Sequence, residues 1–153
     1  MIISNNSTYA NSPNLAVTMV VAYFLNKKYY LSRELLLQAT LNSDKSSTYK
    51  PSYGSVIKST SAIKKIANGT STKGSSIFSS SSTVSEGYAK YALHRFKYTK
   101  SSSKSRTVKV TDYYDFASGD YNGLEGLAVE AMVNAQKNGL IVPYNVSITV
   151  TVN

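Results

Sequence analysis

The chain of 153 residues contains no cysteine and no tryptophan, one histidine and only eight acidic residues. Without cysteine it forms no disulfide, holds no zinc through thiolates and offers no thiol nucleophile. Its most apolar run, LAVTMVVAYFL at 15–25, has eleven residues, whereas a membrane-spanning helix needs about 20. The polar stretch at 1–11 has no signal-peptide pattern. We therefore expect a folded domain with no transmembrane segment.

The few acidic residues are concentrated at one end of a basic chain. The net charge is +9, and sixteen of the seventeen Lys and Arg residues precede position 112. Five of the eight acids lie at or after that position: Asp112, Asp115, Asp120, Glu125 and Glu130. An excess of positive charge favours anionic partners such as nucleic acid, phospholipid headgroups, wall polymers and phosphorylated substrates. An acidic cluster in a basic surround suits phosphate chemistry with a divalent cation, although the cluster could also arise by chance.

The first 69 residues carry the signals of helices. SPNLAVTMVVAYFL predicts a central helix, because it starts with Ser-Pro and its apolar residues continue all round. In LSRELLLQA, Ser32 is the predicted N-cap of a second helix. SVIKSTSAIKKIANG predicts a third helix that Gly69 ends. We assign residues 1–11 to a flexible terminus and residues 12–69 to a helical part.

The second half of the chain predicts a sheet. Residues 70–87 are rich in serine and predict a long surface loop. Beyond them, ALHRFKYT and RTVKVTD alternate between apolar and polar residues and are joined by SSSKS, which indicates a β-hairpin. A turn centred on Ser103 would pair Tyr98 with Val108, Phe96 with Val110, and His94 with Asp112.

One helix and one strand complete the prediction. NGLEGLAVEAMVNAQKNG has the pattern of a helix with Asn122 as its cap and Gly139 at its end. LIVPYNVSITVTVN alternates with period two, as a half-buried strand does. The sequence therefore predicts one α+β domain over residues 1–153, in which the sheet and last helix occupy 88–153. N-terminal helices would pack on a small antiparallel sheet, with one helix before the last strand.

The carboxylates and the histidine are the candidates for chemistry. Asp112, Asp115 and Asp120 could converge at a strand end and hold Mg²⁺ or Ca²⁺ through oxygen ligands. A helix cap at Asp120 and an Asx-turn at Asp112 or Asp115 are the structural alternatives. Histidine titrates near neutral pH, so His94 is a candidate general base or acid. The alternative for His94 is a purely structural role.

The stretch DYYDF at 112–116 contains the pattern Asp-x-Tyr-Asp in Asp112, Tyr114 and Asp115. This pattern resembles the signature of the colicin M-type bacterial toxins. The resemblance implies a compact α+β catalytic domain with a half-barrel sheet. It also implies Mg²⁺-dependent cleavage of lipid II, the polyprenyl-pyrophosphate-linked peptidoglycan precursor.

The resemblance covers roughly residues 106–122 and includes a departure from the family pattern. In that family a His-Arg pair follows the second aspartate by some six residues. Those positions are occupied here by Tyr121 and Asn122, and the only His-Arg pair of this chain is His94 and Arg95.

Three functions are open on these grounds. The first is a bacterial toxin or effector domain, secreted or delivered outside the producing cell, that cleaves a phosphoester in a lipid-linked wall precursor and has a cognate immunity protein. The second is a non-enzymatic cationic module that binds nucleic acid or a cell-wall polymer. The third is a toxin nuclease that uses His94.

The first function assigns a role to each candidate residue. The catalytic residues would be Asp112, Tyr114, Asp115 and His94. The substrate-binding residues would be Arg95, Tyr121 and Asn122. The ligands of Mg²⁺ would be Asp112, Asp115 and Asp120.

Overall fold

The computed structural model describes residues 13–78, 89, 92–117 and 123–153. Within them lie four α-helices, one 3₁₀-helix and five strands. In chain order these elements are α1 (Pro13–Asn26), α2 (Tyr30–Leu41), β1 (Thr48–Tyr49), the 3₁₀-helix (Gly54–Ser59), α3 (Ser61–Asn68), β2 (Lys73–Ile77), β3 (Arg95–Thr99), β4 (Thr107–Tyr114), α4 (Gly123–Lys137) and β5 (Tyr144–Thr151). The predicted α+β class is confirmed, with helices first and α4 directly before the last strand. No helix in the described part of the chain has the length and apolar character needed to span a membrane.

The five strands form one sheet in the order β1-β5-β4-β3-β2. β1 runs parallel to β5, and the other neighbours are antiparallel. The sheet is therefore mixed, whereas a purely antiparallel one was predicted. Among the described residues the sheet is not closed, and β1 and β2 form its two edges.

The longest pairing joins β4 to β5 over eight residue pairs, from Thr107 with Thr151 to Tyr114 with Tyr144. Successive side chains of a strand point to opposite faces, and the inward residues of both strands other than Asp112 are buried. These inward residues are Val108, Val110, Tyr114, Tyr144, Val146, Ile148 and Val150. The predicted alternation of the last strand is thus confirmed. One cluster of buried side chains connects this face of the sheet to α1, α2, α3 and α4.

The helical part departs from prediction at two places. α1 starts at Pro13 as expected, but it is not central, because Leu15 is 43% and Leu25 49% exposed. α2 begins at Tyr30, so Ser32 lies buried inside the helix and does not cap it. The predicted cap of Ser32 was wrong because burial of the helix face outweighed the local capping signal.

The predicted third helix is interrupted at Thr60. The 3₁₀-helix precedes this residue and α3 follows it. The Thr60 hydroxyl donates to the carbonyl of Ile57 at 2.6 Å and accepts the amide N–H of Ile63 at 3.3 Å, which makes it the N-cap of α3. Gly69 ends α3 as predicted, and its N–H donates to the carbonyls of Lys65 and Ile66.

The prediction of a loop over 70–87 was wrong at β2, which pairs with β3 from Lys73 with Thr99 to Ile77 with Arg95. β2 is an edge strand and its residues are mostly exposed, so the sequence shows no apolar alternation there. Gly74 lies beneath the Tyr98 ring, where a Cβ atom would come within 2.8 Å of the Tyr98 hydroxyl. Glycine therefore lets an aromatic side chain of β3 cover the edge strand.

Lys100 is a buried cation with a structural role. Its side chain is 7% exposed, and Nζ donates to the carbonyls of Ile66 at 3.1 Å, Gly69 at 2.7 Å and Ser103 at 3.3 Å. A positive charge at the C-terminal end of a helix is stabilised by the helix dipole and by the last carbonyls. Lys100 therefore ties β3 to the end of α3.

The turn between α1 and α2 contains Lys28 in a left-handed conformation, with φ of 62°. The N–H of Tyr29 donates to the Phe24 carbonyl, and the N–H of Lys28 donates to the Leu25 carbonyl. This is the Schellman pattern of helix termination, in which glycine usually occupies the left-handed position. A lysine there carries backbone strain of about 1–2 kcal/mol.

We expect Lys28→Gly to raise the free energy of unfolding by about 0.5–1 kcal/mol, because glycine adopts a positive φ without strain. Urea denaturation followed by circular dichroism measures this change. The matched control is Lys27→Gly, which replaces a neighbouring lysine at a position without positive φ and should lower the stability. Destabilisation of equal size by both substitutions would contradict the assignment of strain to Lys28.

Candidate functional site

Asp112 lies near the end of β4, on the face of the sheet that carries the apolar core. It pairs with Val146 of β5, and its side chain is half-buried. The backbone N–H of Tyr113 donates to its Oδ1 at 2.9 Å. The sequence placed this aspartate in phase with Val108 and Val110, and the structure confirms that placement.

Burial raises the pKa of Asp112 to about 7. The N–H of Tyr113 opposes this shift, the negative charge of Asp115 adds to it, and the positive charge of Lys97 opposes it. Desolvation disfavours the charged form of a carboxyl group. A carboxyl that exchanges its proton near neutral pH is suited to acid or base catalysis.

The other members of the DYYDF stretch have different surroundings. Tyr114 is only 5% exposed, and its ring centroid lies 5.3 Å from that of Tyr144 and 5.5 Å from that of Phe116. Asp115 follows the strand and is exposed. Asp112 and Asp115 are thus close enough to interact electrostatically, whereas Tyr114 is part of the aromatic core.

The predicted hairpin register was wrong by two residues. Tyr98 pairs with Val110 rather than with Val108, which would set Phe96 instead of His94 opposite Asp112 if the same register continued. His94 lies just before β3, and its Nδ1 is 3.2 Å from the Phe78 carbonyl. The Phe78 N–H donates to the His94 carbonyl at 2.8 Å. The pairing of β2 with β3 therefore extends beyond the two strands to Phe78 and His94. The predicted hairpin of β3 and β4 did not include this contact.

Three predicted site residues, Asp120, Tyr121 and Asn122, lie outside the described residues. In the part of the chain that the structure describes, no group of three or more His, Cys, Asp or Glu side chains is arranged to hold a metal ion. Asp112 and Asp115 are the described carboxylates that remain candidates for Mg²⁺.

A second candidate site lies on the opposite face of the sheet. Four exposed cations, which we call the basic face, point outward from β2, β3 and β4: Lys73, Arg95, Lys97 and Lys109. Lys73 and Lys109 flank Thr99 in one row across the sheet. Neighbouring strands lie about 4.8 Å apart and alternate residues of one strand about 7 Å apart. Each of the four cations therefore lies within roughly one Debye length, about 10 Å at 0.1 M salt, of at least one other.

Most of the described side chains around the basic face carry hydroxyl groups, and none of them is a carboxylate. The outward residues of the four strands β2 to β5, apart from the four cations, are Ser75, Ile77, Thr99, Thr107, Thr111, Tyr113, Asn145, Ser147, Thr149 and Thr151. Tyr113 is 40% exposed. This surface combines positive charge, hydrogen-bond donors and one aromatic ring, the groups that recognise phosphate backbones.

Sequence reasoning missed most of the basic face. Arg95 was predicted as a substrate-binding residue, but Lys73, Lys97 and Lys109 were not singled out. The alternation in RFKYT and VKV places these cations of β3 and β4 on one face, so that signal was present. Lys73 could not be added, because the edge strand β2 has no apolar alternation.

Comparison with known proteins gives no match to a family model, to a curated protein or to a solved structure.

We expect the stability of the folded protein to fall as the pH rises from about 4 to about 7. The raised pKa of Asp112 means that the folded state keeps this proton over a range in which the unfolded state, with a value near 3.8, has lost it. At about 1.4 kcal/mol per pKa unit, the effect is of the order of 2–4 kcal/mol. Urea denaturation at several pH values measures it.

Asp112→Asn should remove this pH dependence and be more stable than the wild type above pH 7. Asp115→Asn is the matched comparison, because it removes a neighbouring negative charge and should move the fall to lower pH without abolishing it. An unchanged pH dependence in Asp112→Asn would show that another group is responsible.

Proposed function

We propose that the protein binds an anionic polymer with a phosphodiester backbone through its basic face. The observation that carries this proposal is the position of Lys73, Arg95, Lys97 and Lys109 on one open side of the sheet, with no carboxylate among its outward-facing described residues. Nucleic acid and wall teichoic acid share this ligand chemistry.

Charge neutralisation would supply most of the affinity. A cation that contacts a phosphate releases condensed counterions, so the binding constant falls with salt in proportion to the number of contacts. Four contacts would give a slope of log K against log salt of about −3 to −4. Such binding needs no preference for base sequence.

The residues between the cations would orient the polymer. Hydroxyl groups donate hydrogen bonds to phosphate oxygens. Thr99 lies between Lys73 and Lys109 of the neighbouring strands, and Thr111 pairs with Lys97. Tyr113, at the end of the same face, would offer a ring on which a nucleobase can stack. Stacking would favour single-stranded nucleic acid over teichoic acid.

The test is a triple substitution, Lys73→Gln, Lys97→Gln and Lys109→Gln. We expect it to weaken binding of a fluorescent single-stranded oligonucleotide or of teichoic acid at least tenfold at 0.1 M salt. The salt slope should shrink by about 2–3, because three phosphate contacts are lost. Fluorescence anisotropy across a salt series measures the first ligand, and competition measures the second.

The matched control removes three exposed lysines from the helical layer, Lys58→Gln, Lys64→Gln and Lys65→Gln. It lowers the net charge by the same amount but leaves the basic face intact. The salt slope should therefore stay nearly unchanged. Equal weakening by both triple variants would refute a specific basic face. Loss of nucleic-acid binding alone in Tyr113→Ser would identify the role of stacking.

A second candidate function is phosphoester cleavage by Asp112 and Asp115, and the electrostatic interaction between the two carboxylates favours it. With the resemblance to colicin M-type toxins, it would make the protein a toxin that acts on a lipid-linked wall precursor outside the producing cell. Asp112 and Asp115 would hold Mg²⁺, with Asp120 as a further ligand. The metal would stabilise the negative charge that develops on the phosphate.

In this second candidate, the protein's own groups would do the remaining work. Asp112, whose pKa lies near 7, would exchange a proton with the attacking or leaving oxygen when no metal occupies it. An immunity protein of the producing cell would be the expected partner.

The test is hydrolysis of lipid II by the wild type with and without Mg²⁺. We expect Asp115→Asn to lower the rate at least 100-fold while leaving the circular dichroism spectrum unchanged, because Asp115 is exposed. Asp44→Asn, which changes another exposed carboxylate, is the control and should retain the rate. Metal-independent inactivity of the wild type would exclude this candidate.

A further inference from the structure

One corner of the helical layer combines exposed apolar and aromatic side chains with lysines. Leu25 at the end of α1 is 49% exposed, and Tyr30 and Tyr53 are 41% and 50% exposed. Lys27 and Lys28 occupy the turn between Leu25 and Tyr30 and are exposed as well. We call these five residues the aromatic corner.

The two tyrosines of the aromatic corner are held in a fixed arrangement. Their ring centroids are 5.4 Å apart and the rings are stacked at an interplanar angle of 29°. Glu34, one helical turn after Tyr30, accepts the backbone N–H of Tyr53 at 2.8 Å and of Ser52 at 2.7 Å. Its carboxylate also accepts the hydroxyl of Tyr49 at 2.7 Å, which raises the pKa of Tyr49 to about 12.

Glu34 therefore positions Tyr53 on Tyr30 through hydrogen bonds from neutral donors. The other acid among residues 13–78 is Asp44, whose carboxylate accepts the N–H and the hydroxyl of Ser46. Lys28 also keeps a left-handed backbone that glycine would adopt more easily. A strained residue that retains a charged side chain points to a use for that side chain.

We propose that the aromatic corner is a docking surface for an anionic phospholipid bilayer. Leu25 would enter the boundary between headgroups and acyl chains, where exposed apolar side chains of peripheral proteins are buried. Tyr30 and Tyr53 would lie at headgroup level, which suits a ring with an apolar body and a polar hydroxyl. Lys27 and Lys28 would place their ammonium groups among the lipid phosphates.

Charge complementarity favours a lipid surface over a protein partner. The two lysines lie between Leu25 and Tyr30 in sequence, and the five residues of the aromatic corner include no acid that would match a basic groove on a protein. The lipid need only provide a negative surface and an apolar interior, so no shape complementarity is required. This inference is independent of the basic face, because β2, β3 and β4 contribute none of the five residues.

The absence of tryptophan from the chain allows a direct test. Leu25→Trp introduces a single reporter into the corner, and its fluorescence emission should shift to shorter wavelength with vesicles of phosphatidylcholine and phosphatidylglycerol. Vesicles of phosphatidylcholine alone should give little shift. The control is Leu41→Trp. Leu41 lies at the far end of α2, about 16 Å from Tyr30 along the helix. Leu41 is even more exposed, at 79%, but should give no shift.

A second measurement tests the lysines by vesicle sedimentation. Lys27→Gln combined with Lys28→Asn should weaken binding to the anionic vesicles about tenfold or more, since each lysine near such a surface adds to the attraction. Asparagine tolerates a left-handed backbone, so this variant should fold. Lys64→Gln combined with Lys65→Gln removes the same charge from α3 and should have a much smaller effect.

The outcomes separate docking by the corner from other binding. A shift at Leu25→Trp alone, together with the selective loss in the Lys27 and Lys28 variant, supports the proposal. No shift at Leu25→Trp, equal shifts at both tryptophan positions or equal losses in the two lysine variants would overturn it. A shift that persists in Lys73→Gln, Lys97→Gln and Lys109→Gln shows that the basic face is not the cause, and its loss there would also overturn the proposal.

Discussion

The pairing of β4 with β5 is the constraint on which both faces of the sheet depend. Its eight pairs fix a strict alternation, so that Val108 and Val110 point into the core while Lys109 and Thr111 point outward. A shift of one residue would exchange the two sets and bury cations against the helices. Burial of the apolar set, worth about 25 cal/mol per Å², therefore also determines where the positive charges lie.

The same alternation places Asp112 and its neighbours in the chain on opposite faces of the sheet. Asp112 belongs to the inward set and lies on the core face, where desolvation raises its pKa to about 7. Lys97 projects outward from the neighbouring strand, and its charge still opposes that shift. Asp112 and Lys97 thus interact electrostatically, although they belong to opposite sides of the sheet.

Periodicity in the sequence correctly predicted the structural features that depend on neighbouring residues in the chain. It identified α1, the inward set of β5 and the helix-ending roles of Gly69 and Gly139, where the φ of 73° at Gly139 matches a left-handed terminator. It failed for β2, whose pairing depends on β3 rather than on its own residues, and for the hairpin register, which a symmetric turn placed two residues away. A register is set by all the contacts of both strands, including those of β4 with β5, which the hairpin sequence does not contain.

Net charge alone does not identify the binding surfaces, because some of the cations serve the fold. Lys100 donates to carbonyls at the end of α3. The Arg106 guanidinium donates to the Val152 carbonyl at 2.8 Å and to Oδ1 of Asn68 at 2.6 Å. The exposed cations of the basic face lie on the side of the sheet opposite the core that the described residues form. α2 packs on the core side, where the Tyr144 hydroxyl donates to the Leu35 carbonyl. Contact of the helical layer with a membrane would therefore leave the basic face open to a polymer.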